Sequence, residues 1–233
     1  MSKGFKRFYK HAEASETEGG YGVLLDGKPM MTPDGAKLTL PTRTATAQIA
    51  AEWNAQGEQI KANDLPLTRL ANLAQDRMGA AREATADWLT QYAQTDVLCH
   101  RAEHPQNLTL RQAEQWDAAL EWANQELGIS LSTVCGIQTA DHPPESLERV
   151  RGLALELDDL RLTGLAHAAG MMTSAVLAFA LIRNRYSAEE AYTLATLEEK
   201  FQQEQWGVDE AAAKRDAEIL SELKTLQDFM NSL

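Results

Sequence analysis

Leu162-Thr163-Gly164-Leu165-Ala166-His167-Ala168-Ala169-Gly170-Met171-Met172-Thr173-Ser174-Ala175-Val176-Leu177-Ala178-Phe179-Ala180-Leu181-Ile182 is the stretch on which the fold turns. It contains no Lys, Arg, Asp or Glu and is flanked by Arg161 and Arg183. Its length could cross a bilayer. Its composition argues otherwise: Thr163, Gly164, His167, Gly170, Thr173 and Ser174 interrupt it, and much of the remainder is alanine, a mixture that inserts poorly. A helix apolar on all sides is equally the central helix of a sizeable globular core. The sequence therefore predicts a core helix and no stable membrane insertion. His167 within it is expected to be a hydrogen-bonded core histidine, because a buried polar group requires a partner.

The rest of the chain is built to surround such a helix. Its 233 residues, 44% hydrophobic and 24% charged, suit one large globular domain or a main domain with a smaller appendage. A net charge of −12 disfavours nucleic acid or an anionic membrane as the main partner, since both would be repelled. Cys99 and Cys135, the only cysteines, form neither a disulfide framework nor a C-x-x-C pair. The opening Met1-Ser2-Lys3-Gly4-Phe5 has no apolar signal run, which leaves a reducing cytoplasm as the expected location.

Upstream of Pro41 the pattern is β. Tyr21-Gly22-Val23-Leu24-Leu25 runs into Asp26-Gly27, a pair suited to the positive φ angles of a tight hairpin. Thr32-Pro33-Asp34-Gly35 signals a second turn, and Lys37-Leu38-Thr39-Leu40 alternates. With Phe5, Phe8 and Tyr9 this reads as a small antiparallel meander, which needs another layer to cover it. Beyond Pro41 the spacing is helical. Helices are expected over residues 44–59 and along Leu67 to Tyr92, relaxing near Gly79, and from Ala113 to a stop at Gly128. Residues 129–137 are β-branched and expected to be extended. Another helix starts at Pro143-Pro144. Ser187-Ala188-Glu189-Glu190 reads as a capping box that opens a helix carrying Leu194, Phe201 and Trp206 and ending at Gly207. A final helix starts near Asp209. The fold class is α+β, mostly α: a small β-rich N-terminal domain over residues 1–42 and a helical domain over 43–233.

The chain carries no glycine-rich phosphate loop, no G-x-S-x-G turn and no H-E-x-x-H helix. Cys99, His100 and His104, with Cys135 or His142, lack the paired spacing of a zinc site. Nothing around Cys99 announces an activated nucleophile. Glu198, Glu199 and Glu204 read as a solvated helix face, not as a glycosidase pair. Trp53, Trp88, Trp116, Trp122 and Trp206 occupy helical stripe positions, with one or two free to mark an interface. No cofactor and no metal is expected. From Ser187 to Leu233 there are four basic and eleven acidic residues, a concentration of charge that reads either as the solvated face of helices packed on the core or as a surface that steers a protein partner.

Short phrases then add a resemblance. Arg7-Phe8-Tyr9-Lys10, Leu25-Asp26-Gly27-Lys28-Pro29 with Thr32-Pro33, Leu40-Pro41-Thr42 and Ala51-Glu52-Trp53-Asn54-Ala55-Gln56 come first. Leu65-Pro66-Leu67-Thr68-Arg69-Leu70-Ala71-Asn72, Asp76-Arg77, Tyr92, Thr95-Asp96-Val97-Leu98-Cys99 with Arg101-Ala102, Trp116-Asp117 and Trp122-Ala123 follow. Leu197-Glu198-Glu199, Phe201-Gln202 and Trp206-Gly207 complete the series. In this order, over essentially the whole chain, they resemble the chaperone family that assembles the F(1) sector of ATP synthase, specifically the member type that handles the alpha subunit. His100 and Ala118 stand where that family usually has tyrosine and proline. The resemblance implies a small β domain with a helical one, no enzymatic activity, and binding of the unassembled alpha subunit until the beta subunit replaces it. It points to Glu198 first, with Glu199, Gln202 and Trp206 as neighbours, and to a bacterial relative acting in the cytoplasm. The alternatives are a scaffold or chaperone for another client and, more remotely, an enzyme using Cys99, His100 and Glu198.

Overall fold

Asp26 and Gly27 both take positive φ, 49° and 79°, as the tight hairpin turn requires. They join β3 (Gly20–Leu25) to β4 (Lys28–Pro29), with Leu25 opposite Lys28. The Asp26 carboxylate also accepts from the N–H groups of Lys10 and His11, both at 2.9 Å, which hold its pKa below the usual carboxylate range. The computed structural model describes residues 5–136 and 138–233. The chain divides into two compact units, one running through Ala81 with Asp159–Thr163 and Asp228–Leu233, the other comprising Arg82–Asp158 and Gly164–Gln227.

In the first unit the sheet order is β2-β3-β4, with β2 at Ala12–Thr17. The meander is completed by Leu40, whose N–H and C=O exchange hydrogen bonds with Tyr21 at 2.8 and 2.9 Å. That approach explains Gly20, where a Cβ would stand 2.4 Å from the Leu40 carbonyl oxygen. The second turn forms as expected, Gly35 N–H donating to Thr32 C=O at 2.9 Å. Two expectations change. Strand β2 was not signalled, and β1 (Phe5–Lys6) leaves the meander to pair with β5 (Gln59–Ile60). Helix α1 (Arg43–Asn54), capped by the Thr42 hydroxyl on Ala45 N–H, packs on β2 and β3. Its buried face carries Ala45, Ile49, Ala50 and Trp53. This is the covering layer that short strands require, within a compact unit that runs through Ala81. Helix α2 (Pro66–Leu73) follows, and a π turn over Ala74–Met78 leads into α3 (Gly79–Gln94), close to where the spacing relaxed.

The second unit is helical. Helix α4 (Gln106–Trp122) continues through a π turn to Gly128, whose φ of 71° ends it. Among the described residues of the 129–137 stretch only β7 (Val134–Cys135) is a strand, parallel to β6 (His100–Arg101); Ile137 lies outside the described residues. Helix α5 (Pro144–Leu155) begins on its proline. The quoted apolar stretch is not one helix. It breaks into α6 (Asp159–Met172) and α7 (Ala175–Ile182) at Thr173, whose φ is 49°. Ser174 caps α7 through Leu177 N–H at 3.0 Å. From Ala175 to Leu181 every residue is buried. No helix of the described residues is long and apolar enough to cross a membrane.

The capping box forms, with Ser187 and Glu190 bonded reciprocally. The helix it opens stops at Thr196, giving α8 (Ala188–Ala195) and a separate α9 (Leu197–Trp206) where one helix was expected. Gly207, φ 92°, ends α9, and α10 spans Glu210–Ser232. The architecture is α+β and mostly α, as the sequence implied.

Candidate functional site

Most of the quoted phrases are consumed by the fold. The Arg7 guanidinium donates to the carbonyls of Tyr9, Gln56 and Lys10, fixing the chain past the end of α1. Tyr9 donates its hydroxyl to the Trp53 carbonyl at 2.6 Å. Glu52 accepts from the N–H groups of Leu67 and Thr68 and from the Thr68 hydroxyl, at 2.7, 2.9 and 2.8 Å. A carboxylate on the open N–H groups of the first turn of α2 is favoured by the helix dipole. Burial pushes the Glu52 carboxyl pKa up, opposed by those hydrogen bonds. The Trp53 indole N–H donates to Thr68 Oγ1 at 3.0 Å.

The Thr95-Asp96 phrase is likewise structural. Asp96 is fully buried and accepts from Leu98 N–H, Ser174 Oγ–H and Val176 N–H at 3.2, 2.9 and 3.1 Å. It ties the segment leading into β6 to the start of α7, and burial pushes its carboxyl up to about 6. Beside it Cys99 is fully buried, and burial raises its thiol pKa well above normal, which removes the thiolate that a nucleophile needs. Cys135 is exposed. His142 accepts from Ser132 N–H on Nδ1 and lies 3.2 Å from the Gln94 carbonyl on Nε2. Among the described residues no group of three or more His, Cys, Asp or Glu is placed to hold a metal ion. His167 is half-exposed rather than core, with its Nε2 2.8 Å from Glu222 Oε1.

Helix α9 differs. Leu197 and Phe201 are its buried face, and the helix packs on α4. Glu198, Gln202 and Trp206 recur at four-residue steps, which places them along one ridge. Glu199, Gln202 and Trp206 are exposed, while Glu198 is half-buried. Trp206 is 81% exposed, followed by Val208 at 63%. It is therefore not part of a core stripe. Of the other tryptophans, Trp53 and Trp116 are core, Trp122 is half-buried and Trp88 is 39% exposed. Thr196 supplies no side-chain cap to α9, and Glu198 and Glu199 lie in its first turn, where negative charge is favourable. Glu204 is not a free carboxylate: Arg111 on α4 donates to both its oxygens from one nitrogen, at 2.8 and 2.9 Å. Glu199 makes no hydrogen bond or ion pair with a described residue. The Glu198 carboxylate accepts from the Gln112 side-chain amide. Arg101 on β6 lies 5.3 Å from the Trp116 ring centroid and pairs with Asp117 at 2.8 Å. The Trp116 indole donates to the Leu194 carbonyl at 2.9 Å, just ahead of α9. The α9 ridge is thus acidic at one end and aromatic at the other. The sequence pointed to α9, but Gln112 carried no sequence signal of its own.

Comparison with known proteins places these features in context. A family model described as ATP12 chaperone protein matches residues 6–124. The mitochondrial protein atp12 of Schizosaccharomyces pombe is 25% identical over 228 residues, covering 93% of this chain and 78% of that one. The crystal structure of Atp12 from Paracoccus denitrificans superposes with a TM-score of 0.90 at 36% identity, covering 97% of both chains. The Atu1473 protein of Agrobacterium tumefaciens gives 0.92 at 34% identity, covering 97% of this chain and 85% of that one.

Proposed function

The chain belongs to the ATP12 chaperone protein family, whose members are assembly chaperones for the F(1) sector of ATP synthase and not enzymes, and on that footing we propose that it binds the unassembled alpha subunit. In this reading it shields the alpha subunit's interface, in the bacterial cytoplasm, until the beta subunit takes its place. An orphaned ATPase subunit exposes a contiguous apolar patch meant for its neighbour, and such patches aggregate. A cover of about 1,600 Å² is enough for specific binding. It must hold more weakly than the final partner, which favours a few charge-assisted contacts around a small apolar anchor.

The observation that supports this reading best is Trp206, 81% exposed on the same ridge as Glu198 and Gln202. Exposed tryptophan is a costly surface residue but a strong interface anchor. Glu198 and Glu199 would pair with basic groups on the client, and Gln202 would hydrogen-bond between them and the indole. The test is co-expression with isolated alpha subunit. The wild-type chain keeps that subunit soluble and co-purifies with it, and Glu198→Lys loses both while remaining folded. Unchanged protection by Glu198→Lys would remove α9 from the reading.

A further inference from the structure

Gln112 sits on α4, between Arg111 and Ala113, with no solvent exposure at all. A buried primary amide must satisfy both its ends. Its oxygen accepts from the Ala102 backbone N–H at 2.9 Å. That N–H can only donate, so the orientation of the amide is settled, and the NH2 group must face α9. There it donates to Oε1 of Glu198. The second oxygen of Glu198 takes no hydrogen bond from a described residue.

We propose that Gln112 is a positioning residue for client binding: it holds one oxygen of Glu198 and leaves the other oriented to receive a basic group of the client. This rests on the assignment of Glu198 to the client-binding ridge. A flexible glutamate gives up rotamer freedom when it pairs with a partner. A carboxylate already held by an amide, itself fixed by the Ala102 backbone, has given up that freedom beforehand, and such preorganisation strengthens binding. Ala102 and Gln112 therefore form a short relay from the β6 segment to α9.

The experiment is a double-mutant cycle on affinity for the alpha subunit, using Gln112→Met, Glu198→Gln and the pair, with thermal unfolding as the folding control. Gln112→Met should weaken binding about tenfold, the scale of one hydrogen bond to a charged group. The double variant should bind no worse than Glu198→Gln alone, because Gln112 acts only through Glu198. Additive losses would overturn the positioning role, since they would mean that Gln112 matters independently. If Glu198→Gln itself leaves affinity unchanged, the ridge assignment fails; if only Gln112→Met does, the positioning role alone fails. Should Gln112→Met not fold, Gln112→Asn, which keeps the amide but shortens its reach, enters the same cycle. The wild-type side-chain amide resonances of Gln112 supply an independent check. They should shift in Glu198→Gln, and unmoved resonances would contradict the contact.

Discussion

Two glutamate and tryptophan pairs, one adjacent in sequence and one eight residues apart on α9, have opposite fates in this molecule. Glu52 and Trp53 turn inward. The carboxylate closes three donors at the start of α2, and the indole, 7% exposed, donates to Thr68. Glu198 and Trp206 are less enclosed: Glu198 is half-buried with one carboxylate oxygen engaged, and Trp206 is 81% exposed. Similar side chains thus stabilise the fold in one place and, in the proposed reading, meet a partner in the other. The difference lies in how many of their hydrogen bonds the chain itself satisfies.

That contrast breaks first at Trp53. Trp53→Ala should cost about 3–5 kcal/mol of stability, because it opens a cavity under α1, read as a lowered urea midpoint. A loss below about 1 kcal/mol would mean that the inward phrase is not structural. Glu52→Ala should cost about 2 kcal/mol by stranding its donors at the helix start, measured in the same way. A third test concerns Asp96, another inward acid. Its carboxyl is pushed up to about 6 by burial, so between about pH 4 and 6 the folded state binds more protons there than the unfolded state. Stability from this group is therefore full below about pH 4, falls as pH rises, and levels off above about 6. The difference between wild type and Asp96→Asn across that range isolates the effect, and a difference that stays flat with pH would contradict it. The smallest effect is expected at Trp206, where Trp206→Ala should shift stability by no more than about 0.5 kcal/mol.

Much of this architecture was legible from local chemistry. Asp26-Gly27, Ser187 with Glu190, Gly128 and Gly207 each announced a turn, a cap or a stop, and each forms. These signals work because a few neighbouring residues decide the backbone. The unread elements depend on distant partners. Strand β2, Ala12-Glu13-Ala14-Ser15-Glu16-Thr17, has little intrinsic strand preference and exists through its ladder with β3. The break at Thr173 has no glycine or proline to mark it; Asp96, 78 residues away from Ser174 in sequence, helps to cap the new helix start. Gln112 reads as an ordinary polar helix residue, and only its burial between Ala102 and Glu198 distinguishes it. Helix α9 was marked as a site by family phrases, whereas the exposure of Gln202 and Trp206 required the packing of Leu197 and Phe201 to be known.

Amide hydrogen exchange of the full chain, alone and with excess isolated alpha subunit, tests the central assignment most directly. Exchange across residues 197–210 should slow on adding the subunit, while the residues around Glu52 and Trp53 keep the rates they have in the free protein. Binding that leaves 197–210 unprotected, with new protection elsewhere, would contradict the account.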